Sequence, residues 1–232
     1  MPSPTHPSAS AAPPNSKTDK GNATGIAKDA DDSALPLNRY VIFFCIATVG
    51  LIADLWTKHV MFAWKGLPPG WVDPPRPHTT WWVPGCENLF GVETALNQGA
   101  LFGIGQGKVW LFATLSFVAA GGILYWLFVA KAARERFLTF TLGLVMAGIL
   151  GNLYDRLGLW GGTSPDGQTI YAVRDWILVA YGGLDLPVLG KRWPNFNIAD
   201  SLLVCGAGLL IWHSIFTSDA EDEEEETEKS KA

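Results

Sequence analysis

Charge is scarce in this chain, and cysteine and histidine are scarcer. Only 17% of the 232 residues are Asp, Glu, Lys or Arg, against about 25% in soluble domains. The three cysteines stand apart, Cys45 and Cys205 inside apolar runs and Cys86 alone in a loop, with no CxxC or Cys/His cluster. A disulfide framework and a zinc site are thereby excluded. His6, His59, His78 and His213 are scattered without an HExxH pair, which removes a metallopeptidase of that kind. No basic stripe suits nucleic acid, and no internal repeat is visible. What the chain has is apolar: 48% hydrophobic residues, with eleven Trp and twelve Phe, gathered into four runs long enough to cross a bilayer. The expected fold class is an α-helical polytopic membrane protein.

The runs lie at about Tyr40 to Met61, Val109 to Ala130, Phe137 to Tyr154 and Ile198 to Thr217. Residues 1–38, rich in Ser, Pro, Ala, Asp and Lys and without hydrophobic periodicity, read as a disordered extension. They are not a signal peptide, because the first apolar run begins only at Tyr40 and has no convincing cleavage site. Residues 218–232 read as an acidic, disordered tail, with eight acidic side chains between Asp219 and Glu228. Between them, residues 39–217 form one membrane domain. The short link Lys131 to Arg136 holds three basic residues and Arg39 precedes the first span. The positive-inside rule puts these ends, and both termini, in the cytoplasm. The long connections 63–107 and 157–197 then face outward. They carry Trp71, Trp81, Trp82, Trp160, Trp176 and Trp193, a residue that favours the membrane–water interface. Alternating stretches at Asn88 to Leu96 and Thr169 to Val173 predict short strands, hence a small extracytoplasmic sheet.

The polar residues inside the spans agree in depth. Asp54 lies 14 residues beyond Tyr40, about 21 Å along a helix. Asn152 and Asp155 lie 15 and 18 residues beyond Phe137, about 23 and 27 Å along theirs. Asp200 opens the fourth span from the outer side. Spacings of three or four join Asp54 to Lys58, Asn152 to Asp155 and Arg156, and Asn197 to Asp200, so each set shares a helix face. Charged residues in membrane helices face the bundle interior and mark function by default. Asp54–Lys58 and Asp155–Arg156 also fit a plainer reading as local ion pairs that support the bundle. Asp175 and Asp200 have no such partner: Arg174 adjoins Asp175, but neighbours in a strand point to opposite faces. Two carboxylates brought together can share one proton and divide into an acid and a base. That is the chemistry of an aspartic peptidase.

Asn97-Gln-Gly99-Ala-Leu-Phe-Gly103, before the second span, combines an amide with glycines that let a backbone approach closely. Such a segment suits main-chain pairing with an extended peptide, or is simply a flexible loop entering a helix.

Five boxes in order, Asp54-Leu-Trp-Thr-Lys58, Asn97-Gln-Gly-Ala-Leu-Phe102, Gly151-Asn-Leu-Tyr-Asp-Arg156, Val173-Arg-Asp175-Trp and Phe196-Asn-Ile-Ala-Asp200, resemble the bacterial lipoprotein signal peptidases, the type II signal peptidases. The resemblance covers about Arg39 to Phe216. It implies a four-helix bundle in the bacterial inner membrane, with an extracytoplasmic β-cradle, a short amphipathic helix and an active site near the outer leaflet. It implies cleavage of diacylglyceryl-modified prolipoproteins on the amino side of the lipidated cysteine. A monomer in contact with lipid suffices for a dyad built from one chain, and its chemistry requires no metal or cofactor. By the same resemblance Asp175 and Asp200 form the catalytic dyad, while Asn97, Gly99, Asn152, Arg156 and Asn197 shape the site or hold substrate. Asp54, Lys58 and Asp155 are implied as structural polar support.

The chain departs from the family pattern at Leu101, usually Ala, and at Trp176, usually Phe. The interval from Arg156 to Asp175 and the loop from Ala63 to Glu87 are also extended, which bears on cradle and lid geometry. The rival reading is a transporter or proton relay through Asp54, Lys58, Asp155 and Asp200. It predicts carboxylates spread through the membrane depth and an inverted repeat, and neither pattern is present in the sequence.

Overall fold

The computed structural model describes residues 35–71, 79–82, 88–99, 105–186 and 190–231, the last of these beyond Phe216 as backbone. Cys86, Ala100 to Phe102 of the second box, Leu101 among them, and residues 1–34 of the N-terminal extension lie outside that range.

Four apolar helices dominate: α1 (Leu37–Lys65), α2 (Val109–Leu124), α3 (Arg136–Arg156) and α4 (Ile198–Lys231). Each, α2 together with the turn that carries it on to Val129, contains a stretch long and apolar enough to cross a membrane. α1 is longer than its apolar run because helix-compatible residues flank it on both sides, and it stops at Gly66, φ +80°, a conformation that costs glycine little. The second span changes winding before its expected end. Tyr125 N–H is shared between the Gly121 and Gly122 carbonyls, and a π turn covers Tyr125–Val129. Two successive glycines weaken the α-helix there, and the widened turn stacks Phe128 on Tyr40 with ring centroids 4.6 Å apart.

α4 differs from expectation at its C-terminal end. It continues to Lys231, through the tail for which the acidic composition predicts no order. The physical reason is local: from Ile211 on there is no Gly or Pro to stop the helix, and Ala, Glu and Lys are good helix formers.

α3 is the central helix: 61% of its most apolar window is buried, against 17% for α1, 17% for α2 and 11% for α4. Close approach depends on small residues, as is common between membrane helices. A Cβ added at Gly148 would lie 2.5 Å from the Ala199 carbonyl oxygen of α4.

The sheet has three antiparallel strands in the order β1 (Thr80–Trp81), β2 (Phe90–Asn97) and β3 (Val173–Val179). β2 pairs with β3 through Phe90↔Val179, Ala95↔Asp175 and Asn97↔Val173, with a bulge between Val92 and Ala95. Residues 169–173, expected as a strand, give only a bridge from Thr169 to Thr163, and the true strand starts where that stretch ends. Val173, Arg174, Asp175 and Trp176 are all buried, so β3 lacks the alternation by which a half-buried strand is recognised. Phe62, Val92 and Trp176 join the sheet to the C-terminal end of α1. Beyond the four spans, the described residues contain a 3₁₀ turn at Ala132–Arg134 but no amphipathic helix of the kind the family resemblance implies.

Candidate active site

The site is organised by the N-terminus of α4. The first turn of a helix leaves N–H groups without intrahelical partners. Here Asn197 caps the helix. Its Oδ1 accepts from Asp200 N–H at 2.9 Å, and Asp200 Oδ2 accepts in return from Asn197 N–H at 3.1 Å. This reciprocal pair is a capping box with Asn and Asp in place of Ser and Glu. Ala199 N–H, the next orphan, donates to Asp54 Oδ1 of α1 at 2.9 Å. The Asn-Ile-Ala-Asp motif is therefore a helix start that fixes the Asp200 carboxylate.

Asp175 arrives on β3. The Phe196 carbonyl accepts N–H groups from both Trp176 and Ile177, at 3.0 and 2.8 Å, laying residues 196–197 against the strand. Asn197 Nδ2 then donates to Asp175 Oδ1 at 2.7 Å and to Asn152 Oδ1 at 3.1 Å. Asn152 Nδ2 donates to Asp200 Oδ1 at 2.8 Å. Two amides thus hold two carboxylates from three separate elements. Asp175 and Asn197 are almost fully buried. Burial, followed by the neighbouring charge of Asp200, pushes the Asp175 carboxyl well above the usual carboxylate range; Lys58 and the amides of Asn197 and Asn97 oppose this.

Behind the amides lies a buried ionic cluster. Lys58 Nζ is 2.7 Å from Asp54 Oδ2 and 3.1 Å from Asp155 Oδ2, and donates to Asn152 Oδ1 at 3.1 Å. The Asp54–Lys58 pair read from the sequence is present. The Asp155–Arg156 pair is not found: Asp155 instead receives Arg174, whose Nε and Nη2 reach Oδ1 at 3.0 and 2.7 Å and whose backbone N–H reaches Oδ2 at 3.0 Å. Successive helix residues point in different directions, so Asp155 faces α1 and β3. Arg174 was not singled out from the sequence as a site residue. Its signal was the strand alternation that turns it away from Asp175 and toward this cluster, where it also lies 5.0 Å from the Trp160 ring centroid.

Arg156 turns the other way. Its Nη2 donates to the Gly99 carbonyl at 3.2 Å and its guanidinium lies 5.5 Å from the Phe112 ring of α2. It also lies within electrostatic reach of Asp200 and Asp175. Asn97, at the end of β2, accepts the Gly99 N–H on Oδ1 at 2.9 Å, closing a tight turn. Every residue singled out from the sequence as catalytic, site-shaping or supporting thus falls in one connected network. Among the described residues no His/Cys/Asp/Glu group is arranged to hold a metal. The chemistry available is that of two carboxyl groups, oriented amides and a nearby guanidinium.

The chain is similar to known proteins in sequence and in fold. The family described as signal peptidase (SPase) II matches residues 46–216. A lipoprotein signal peptidase of Rhodopirellula baltica is 48% identical over 182 residues, covering 78% of this chain and 75% of its own. One from Rhodococcus jostii is 33% identical over 173 residues, covering 75% and 72%. A solved structure described as a bacterial membrane enzyme, determined by the in meso method at 2.3 Å, superposes with a TM-score of 0.55 at 25% identity, over 76% of this chain and 88% of that one. With the match spanning all four helices and the site between them, the chain belongs to the signal peptidase II family.

Proposed function

We propose that Asp175 and Asp200 are the catalytic pair with which this chain cuts diacylglyceryl-modified prolipoproteins on the amino side of the lipidated cysteine. As a signal peptidase II it is an aspartic endopeptidase that removes signal peptides from prolipoproteins, built as a multi-pass membrane protein. The observation that carries the residue assignment is the double hold of Asn197, which hydrogen-bonds both carboxylates at once.

The mechanism follows from the two environments. Asp175, whose buried carboxyl favours the neutral form, holds the shared proton. Asp200 takes a proton from a water between the two groups as that water attacks the scissile carbonyl carbon. Asp175 gives its proton to the carbonyl oxygen, forming a neutral tetrahedral diol. Asp200 then protonates the amide nitrogen, a diol hydroxyl returns its proton to Asp175, and the C–N bond breaks. No covalent enzyme intermediate forms. Asn152 and Asn197 keep the carboxyls in register. Arg156 fixes the Gly99 carbonyl, so the turn at Asn97–Gly99 becomes a rail for an extended peptide.

In this reading both termini lie in the cytoplasm and the site near the outer leaflet, which the basic link Lys131 to Arg136 and Arg39 support through the positive-inside rule. One chain supplies the whole site, so a monomer suffices, and the substrate's acyl chains remain in the bilayer beside the helices.

The test is cleavage of a diacylated prolipoprotein by purified wild type, Asp175→Asn and Asp200→Asn, each checked for folding. Wild type cuts and both folded variants are inert. Variants that cut like wild type would remove the dyad assignment; a wild type that does not cut would favour the proton-relay reading.

A further inference from the structure

We propose that Lys58 is a positioning residue for the reaction, setting through Asn152 and Asn197 the pH at which the carboxyl pair stops working. The proposal rests on the dyad reading above and goes beyond a supporting role for Lys58.

The geometry is a short chain of contacts between a fixed charge and the reacting groups. Lys58 Nζ is fully buried and 3.1 Å from Asn152 Oδ1. That oxygen also accepts from Asn197 Nδ2 at 3.1 Å, and the same Nδ2 reaches Asp175 Oδ1 at 2.7 Å. The other end of the Asn152 amide reaches Asp200 Oδ1 at 2.8 Å. A cation on the carbonyl end of an amide polarises its N–H₂ end, and hydrogen-bonded chains strengthen one another in a low-dielectric interior. The ammonium therefore makes Asn152 a better donor to Asp200, and it fixes the Asn152 amide with its oxygen toward Lys58 and its nitrogen toward the carboxylate.

Lys58 also belongs to a balanced set. Asp54 from α1, Asp155 from α3 and Arg174 from β3 surround it, two negative charges against two positive. The carboxyl pair faces Lys58 across the amides and Arg156 on the other side. A neutral quartet leaves the dyad's titration to its own burial and neighbours. An unbalanced quartet shifts it, and the direction depends on which charge is removed. Lys58 lowers the proton affinity of Asp175; Asp54, of opposite charge beside it, offsets part of that effect.

Sign is therefore the test, because a purely structural residue has none. The readout is the alkaline limb of the kcat profile, where Asp175 loses the proton it must donate. Asp54→Asn, whose amide oxygen still accepts the Ala199 N–H, leaves Lys58 uncompensated and moves the limb down by about one pH unit. Lys58→Met removes the cation and moves the limb up. The double variant Asp54→Asn/Lys58→Met restores a balanced pair, Asp155 with Arg174, and returns the limb toward wild type. Variants that lose activity with the limb unmoved, or move it in one common direction, overturn the proposal. If Lys58→Met does not fold, Asp54→Asn decides alone: a limb that stays in place overturns it. Failure of the dyad reading looks different, since Asp175→Asn would then still cut.

Discussion

Asn197 donates its side-chain Nδ2–H to Asp175 Oδ1 at 2.7 Å while its backbone N–H is held by Asp200 Oδ2 at 3.1 Å. One residue thus starts a helix and joins a pair of carboxyls that lie 25 positions apart in the chain. The two tasks separate on substitution. Serine is a good N-cap, but it is too short to reach Asp175. Asn197→Ser should keep α4 intact while losing the hydrogen bond that orients the Asp175 carboxyl. The expected result is a thermal midpoint close to wild type and a kcat lower by about 10- to 100-fold. A parallel fall in both quantities would show that the cap, rather than the contact with Asp175, carries the effect.

Gly151 brings α3 against Asp54 so closely that an added Cβ would meet Asp54 Oδ2 and lie 3.1 Å from Ala199 Cβ. Asp54 cannot retreat, because it holds Lys58 and Ala199 N–H. Gly151→Ala should therefore lower stability by about 1–3 kcal/mol, as overpacking does. Gly122→Ala is the control. Nothing lies within 4 Å of a Cβ there, and alanine is the better helix former. Detergent unfolding should show the first variant weakened and the second unchanged or stronger.

The high proton affinity of buried Asp175 has a consequence for stability as well as for turnover. Its folded-state pKa lies above its unfolded value, so between the two values the folded protein binds a proton that the unfolded chain has released. Stability from this group is full below the unfolded pKa and is lost as pH rises through the folded one. Asp175→Asn removes the titration and keeps the shape. The variant should gain on wild type in thermal midpoint as pH is raised, a trend that midpoints measured at several pH values will check.

Arg174 grips Asp155 through Nε and Nη2 together, at 3.0 and 2.7 Å, with both side chains buried. Lysine carries the charge but cannot form that fork. Arg174→Lys should destabilise the protein, and Arg174→Met more so, by about 3–5 kcal/mol, since it leaves a buried carboxylate short of a partner. Equal unfolding midpoints for the two variants would mean that the fork, and not the charge alone, is what Asp155 requires, whereas a lysine variant as stable as wild type would mean the reverse.

How far these features were legible in the sequence depends on their range. The spans show as apolar runs, and Asn197 and Asp200 show as a pair three apart because a helix start is a local event. Asp155 was matched to its neighbour Arg156, since sequence spacing sees the nearest charge. Its real partner, Arg174, lies 19 residues beyond Asp155 and is delivered by a strand. That strand was itself misplaced, because both its faces are covered and no alternation survives. The reach of α4 to Lys231 was missed for a different reason: composition argued for disorder, while the absence of any helix stop argued for continuation.

β3 gives successive residues opposite duties, with Arg174 turned to Asp155 and Asp175 turned to Asn197. A slip of one position would exchange their faces. It would set an aspartate against Asp155 and an arginine among the groups that work on water. The wrong pairing would thus be penalised electrically at the moment of assembly, before any substrate arrived. The ion pair behind the sheet acts in this sense as a proofreader of the strand, admitting only the alignment in which the enzyme is active.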